Sequence, residues 1–183
     1  MMRPIPLRAG KAYITRGLYA VLLLSQSLYA ADNMRLHGAL VAEPCVIPPG
    51  DETLVLDFDT VLDKYLYLNT RTPGQAFALN LTQCDLSLGR TVKVTFNGTE
   101  SIALPGMLAL DGGSQANGIA IGMETPEGQP LPVNKAGKAQ ALVSGTNILT
   151  IHAYVQGEPD ALARKMITRG PFSATATFSL EYE

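Results

Sequence analysis

An all-β sandwich or barrel is the fold class this sequence predicts, and three observations predict it. Short segments with strand character recur between closely spaced turn signals, helical periodicity is scarce, and the chain closes on a run in which apolar and polar residues alternate without a miss. In that run Phe172, Ala174, Ala176, Phe178, Leu180 and Tyr182 share one phase, while Ser173, Thr175, Thr177, Ser179 and Glu181 share the other. A strand with one buried face follows from such a pattern.

Residues 1–30 read as a segment removed before folding. Arg3, Arg8, Lys11 and Arg16 stand without an acid, the apolar run from Leu18 to Leu24 comes next, and Ser25 to Ala31 is mostly small and polar. Basic, then apolar, then small is the order of a secretory signal peptide, with cleavage expected after Ala30 or Ala31. A membrane anchor is the competing reading, but the apolar run falls far short of the ~20 residues that cross a bilayer. The whole chain has 14 Lys and Arg against 16 Asp and Glu; without those four bases the balance moves from −2 to −6. An acidic mature chain argues against nucleic acid and against an anionic membrane as partner. The remaining ~150 residues suit one domain with a real core.

Residues 31–43 carry a second alternating pattern. Met34, Leu36, Gly38, Leu40 and Ala42 form one phase, with Arg35 and His37 on the other. The segment precedes Cys45, so it lies outside any loop that Cys45 closes. An ordinary first strand of the sandwich is the competing reading of the same pattern. Cys45 and Cys84 are the only cysteines. In an exported chain they read as one structural disulfide. Its chain-entropy contribution is about 4 kcal/mol. Free or metal-binding thiols are the alternative, disfavoured because no histidine or second cysteine pair stands nearby.

Between Pro48-Pro49-Gly50 and Gly157-Glu158-Pro159 the turn signals are evenly spread, among them Pro73-Gly74, Asn97-Gly98, Asn117-Gly118 and Ser144-Gly145. The stretches between them predict strands over 53–58, 76–82, 91–96, 119–123, 139–143 and 148–155. One or two helical turns are expected over 159–165, with Pro159 near the start and Arg164 and Lys165 near the end. No internal repeat or composition break marks a second domain.

A closing strand with nothing after it to cover it, and a loose leading strand, together suggest that each chain completes its neighbour. Strand addition of this kind supplies main-chain hydrogen bonds, and alternate side chains set the register. Burying Met34, Leu36 and Leu40 contributes roughly 1.5–3 kcal/mol each before ordering costs.

With these residues in view the chain resembles the pilins of the bacterial chaperone–usher pathway. The resemblance rests on the signal peptide, the alternating extension with Gly38 inside it, Pro44-Cys45 followed by Cys84, Gly170 fourteenth from the end, and the penultimate Tyr182. Thr91 to Glu100, Ala103-Leu104-Pro105-Gly106 and Ala174 to Phe178 look most like the adaptor subunits of P-pilus tips. The resemblance implies an incomplete immunoglobulin-like β-sandwich that lacks its last strand and receives a donor strand from another chain. It implies the division 1–30 signal peptide, 31–43 donor-strand extension, 44–183 pilin domain. Met34, Leu36, Leu40 and Ala42 would fill a neighbour's groove, with Gly38 at the point too tight for a side chain. Gly170, Phe172, Ala174, Ala176, Phe178, Leu180, Tyr182 and Glu183 would present this chain's own acceptor edge. The implied partners are a periplasmic chaperone, an outer-membrane usher and neighbouring subunits, with export through the periplasm to a surface fimbria.

Nothing in the sequence asks for catalysis, a cofactor or a metal. His37 and His152 are isolated, and neither belongs to a nucleophile, base and acid set. Asp57, Asp59 and Asp63 lack the glycine and the spacing of a calcium loop and read as a solvated strand end. Asn80-Leu81-Thr82 and Asn97-Gly98-Thr99 match the glycosylation sequon, a chance match in the bacterial setting that the resemblance implies. A sugar-binding adhesin would need an extra domain for which the mature chain has no room. A self-contained periplasmic or secreted immunoglobulin-like binding module, folded without a partner, is the remaining alternative.

Overall fold

The computed structural model describes Leu40 and residues 42–183. The proposed signal peptide and Met34, Leu36, His37 and Gly38 lie outside the described residues. Among the described residues six strands form two three-stranded antiparallel sheets. β1 (Gln75–Cys84), β5 (Gly145–Gly157) and β3 (Ile119–Glu124) make one, in the order β1-β5-β3. β4 (Gln140–Ala141), β2 (Thr91–Gly98) and β6 (Ala176–Tyr182) make the other, in the order β4-β2-β6.

The core forms where the inward phases of the two sheets meet. Leu79 and Leu81 of β1, Leu149 and Ile151 of β5, and Val92 and Val94 of β2 are all buried, as strand alternation requires. β3 is buried on both faces because its outward residues are covered too. Gly122 is one of them, and a Cβ there would fall 2.3 Å from the Tyr154 ring, so only a hydrogen lets that ring lie flat on the strand. Next to it the carboxylate of Glu124, one of two buried polar residues among those described, accepts from Arg71 at 2.7 Å. The Arg71 guanidinium lies 4.3 Å from the centre of the Tyr154 ring. The buried carboxylate is thus paired with a cation that is itself stacked.

α2 (Pro159–Arg164) falls where the proline and the terminal bases place it. α1 (Asp63–Asn69) has no counterpart in the expectations from sequence. It buries Leu66 and holds Asp63 to Arg169 at 2.7 Å. That ion pair corrects the reading of Asp63 as part of a solvated strand end, and the hydrogen bond from Arg169 holds the Asp63 carboxyl below the usual carboxylate range. Asp57 and Asp59 are exposed as expected. His152 lies on the outer face of β5, as its phase requires, but is half-buried beside Gly74.

The expected strand over 53–58 is not one. Residues 54–62 carry no regular structure and join no ladder, Asp59 among them has φ +50°, and they line the groove and touch β1 through Gln75. The closing strand is also shorter than the alternation, beginning at Ala176. Upstream of it the main chain is taken by a loop instead: Gln115 and Ala116 donate to the Pro171 oxygen, and Asp111 donates to the Ser173 oxygen.

Candidate functional site: an open groove beside the last strand

β6 pairs with β2 in unbroken register, from Val92 opposite Tyr182 to Gly98 opposite Ala176. Among the described residues no strand pairs with its other edge. Facing that edge is the segment from Val46 to Val61. It is bridged to β1 at Val46 and Thr82 and held again where the Gln75 side chain donates to the Asp57 oxygen at 2.8 Å. Cys45 is bonded to Cys84 at the start of this segment, as the two-cysteine count implied.

Between the segment and β6 lies an apolar groove of about 1080 Å³. Its floor is the core itself. Phe77 of β1 and Phe96 of β2 meet edge to face across the sandwich, with centroids 6.2 Å apart, and Ile121 and Met123 of β3 lie beside them. At one mouth Phe58 and Phe172 approach to 6.3 Å. Leu54 and Val55 stand on the outer rim, Val55 at 89% exposure. Phe172, Ala174, Ala176, Phe178, Leu180 and Tyr182 all point inward, yet each is only partly buried. A sheet edge and a row of apolar side chains are therefore left open together, a combination that invites strand addition.

The ends of the inward row are distinct. Beside Tyr182 the Glu183 main-chain oxygen accepts from the N–H groups of Arg90 and Thr91, at 2.7 and 3.0 Å, and Lys93 pairs with the Glu183 side chain. Burial, with a smaller contribution from Glu43, pushes the Tyr182 phenol up. Pro44 also lies here, because a Cβ on Gly89 would fall 2.8 Å from its ring and 3.4 Å from Tyr182. At the opposite end Gly170 has φ +150°, and a Cβ on it would fall 2.6 Å from Gln115. The missing side chain of Gly170 answers to that loop contact.

The structure thus collects Gly170, Phe172, Ala174, Ala176 and Phe178 along one groove, while Leu180 and Tyr182 continue the inward row beyond it and Glu183 follows. Leu40 and Ala42 are exposed. Sequence reasoning missed the floor, Phe77 and Phe96 above all, and the wall from Leu54 to Val61. The inward phase of β2, Val92, Val94 and Phe96, was the signal that could have pointed to the floor.

Residues 34–183 match the protein family described as Fimbrial protein. This chain belongs to that family. An uncharacterised fimbrial-like protein of Escherichia coli K12, YfcP, is 32% identical over 96% of this fimbrial chain and 97% of its own length. The fimbrial adapter PapK of Escherichia coli is 32% identical over 90% and 94% respectively. The P pilus rod subunit PapA superposes with a TM-score of 0.66 at 26% identity, covering 77% of this chain and all of that one. These likenesses make this fimbrial chain a structural subunit with an immunoglobulin-like pilin fold. They give no support to the self-contained binding module. No described helix is long and apolar enough to cross a membrane.

Proposed function

We propose that this chain is a minor, adaptor-type subunit of a chaperone–usher pilus, joined to its neighbours by donor strands. One observation carries the proposal: an apolar groove whose one wall is β6, with that strand's outer edge unpaired. A strand laid there gains main-chain partners and covers the half-buried row from Phe172 to Tyr182 in the same step. PapK, the fimbrial adapter, and PmfF, a putative minor fimbrial subunit of Proteus mirabilis at 29% identity, support the adaptor-type reading.

In this reading a periplasmic chaperone fills the groove first. At the outer-membrane usher, the extension of the next subunit replaces it. Residues 31–43 of this chain perform the same service for the preceding subunit, with Met34, Leu36, Leu40 and Ala42 as the groove-filling side chains and Gly38 at the tight point. No nucleotide is needed, because the final strand pairing is the more stable one.

Co-purification from periplasm with a chaperone and a neighbouring subunit is the direct test. Gly38→Trp is expected to leave chaperone binding intact and to block insertion into the preceding subunit; normal incorporation would count against the role given to Gly38. Deleting residues 31–41 is expected to preserve chaperone binding and abolish donation. Loss of chaperone binding instead would assign this segment to the fold.

A further inference from the structure

The chain contains two Asn-Gly pairs, Asn97-Gly98 and Asn117-Gly118, and the fold leaves them in opposite chemical states. In such a pair the glycine nitrogen can attack the asparagine side-chain carbonyl, because no Cβ crowds the approach. At Asn97-Gly98 that attack is blocked. Gly98 donates its N–H to Asn134 Oδ1 at 3.1 Å, its oxygen accepts from Asn134 Nδ2 at 3.0 Å, and Asn97 Nδ2 donates to Ser179 Oγ at 3.2 Å, so nucleophile and electrophile are each held elsewhere. At Asn117-Gly118 they are held against each other. The Gly118 N–H donates to Asn117 Oδ1 itself at 2.6 Å, and among the described residues neither group has another hydrogen-bond partner. Asn117 is exposed, so water reaches it. Asp111-Gly112 has the same spacing, but a carboxylate is a far poorer electrophile than an amide, and this one is held by Thr175 at 2.9 and 3.2 Å.

We infer that Asn117 is a site of spontaneous deamidation, and that its product loosens the Phe172 mouth of the groove. The Gly118 nitrogen bonds to Asn117 Cγ and gives up its proton, the side-chain nitrogen departs as ammonia, and water opens the resulting succinimide. Opening at one carbonyl gives aspartate. Opening at the other gives isoaspartate, which routes the main chain through Cβ and adds a methylene to it.

That methylene falls where the fold has no slack. Asn117 exchanges main-chain bonds with Thr168 at 3.2 and 3.0 Å, the Gly118 oxygen accepts from Glu158 at 2.9 Å, and a Cβ on Gly118 would fall 2.7 Å from Ala161. With β3 fixed immediately downstream, the added length passes upstream into residues 111–116. Those residues carry on the ladder where β2 stops at Gly98: Gln115 donates to the Pro171 oxygen, Asp111 donates to the Ser173 oxygen, and Thr175 donates to Asp111 Oδ1. Phe172 and Ala174, between those bonded positions, make no main-chain hydrogen bond among the described residues, so they lengthen the edge open to a donor. The effect on capture rests on the donor-strand reading; the deamidation does not.

The test ages the mature chain in its chaperone complex at mildly alkaline pH and maps it by peptide mass spectrometry, with isoaspartyl methyltransferase labelling to mark isoaspartate. Conversion at Asn117 is expected to run at least about tenfold faster than at Asn97, where hydrogen bonds must break first. In the converted fraction, hydrogen exchange at the Ser173 and Thr175 amides is expected to speed up, and capture of a synthetic peptide of residues 31–43 to slow about tenfold. Asn117→Gln, whose longer side chain closes the ring far more slowly, should keep its fresh capture rate through the same ageing. Freshly purified Asn117→Asp, which adds the charge but no main-chain atom, should capture as fresh wild type does. Asn97 converting as fast as Asn117, unchanged amide exchange in chain converted at Asn117, or equal slowing of fresh Asn117→Asp would overturn the inference. Fresh wild-type chain that fails to capture the peptide would remove the donor-strand reading instead, and the mapping and exchange results would still decide the deamidation and the loosened loop.

Discussion

Phenylalanine in place of Ala176 is expected to slow capture of a donor strand by roughly ten- to a hundredfold without unfolding the domain. Ala174 and Ala176 sit between Phe172 and Phe178 on the inward phase of the closing strand, and both are half-buried. Their methyl groups leave the room that an incoming leucine or methionine would take. A phenyl ring at Ala176 fills that room from within, and the burial denied to one donor side chain is about 1.5–3 kcal/mol. The domain tolerates the ring because the space is an open groove of about 1080 Å³ rather than a closed core. Fluorescence anisotropy of a labelled 31–43 peptide, read beside a thermal melt, separates the two effects. Unchanged capture by a folded Ala176→Phe chain would show that the strand docks elsewhere.

The parts of this architecture that could be read from the sequence are those where one physical rule acts alone. Strand alternation gave the closing strand its inward row, because every member of that row packs against the same core. Two cysteines left one pairing within the chain, and Cys45 and Cys84 make it. Pro159 and the bases at Arg164 and Lys165 marked a helix that needed no tertiary help to be seen.

Where two rules compete, the reading went astray. Leu54 to Phe58 has the composition of a strand, but among the described residues it finds no ladder partner, and Asp59 at φ +50° ends the run. Phe172 to Thr175 keeps the alternation of the strand that follows, yet the loop at Asp111 to Ala116 takes its hydrogen-bonding groups first. α1 is seven residues long, has Leu62 at its N-cap with no side-chain cap, and contains two tyrosines, so little in its local sequence favours a helix. Burial of Leu66 and the bond from Arg169 to Asp63 hold it, and both depend on the finished fold. The groove floor escaped for a similar reason. Phe77 and Phe96 are 19 positions apart in the chain and become a pair only when the two sheets face each other.

Removing the disulfide by replacing both Cys45 and Cys84 with alanine is expected to cost about 4 kcal/mol of stability. Single domains hold only about 5–15 kcal/mol in total, and this one leaves a groove of its core uncovered, so its margin before a strand arrives is at the low end. The bridge also has a particular place. It fastens the start of the Val46 to Val61 wall to the end of β1, beside two main-chain hydrogen bonds between Val46 and Thr82, each 2.8 Å; farther along, only the side chains of Asn80 and Gln75 reach from β1 to the wall, at Asp51 and the Asp57 oxygen. Among the described residues the wall joins no ladder beyond that bridge. Reduction should therefore act on function before it acts on the whole fold: the wall loosens, the groove loses its shape, and strand capture falls at urea concentrations where β1, β5 and β3 still hold. Urea titrations of oxidised and reduced chain, followed by circular dichroism and by binding of the 31–43 peptide, would show two separated midpoints in the reduced chain and one in the oxidised. A reduced chain whose capture and unfolding midpoints both stay put would mean that the wall is held by its packing on Phe77 and Phe172 rather than by the covalent link.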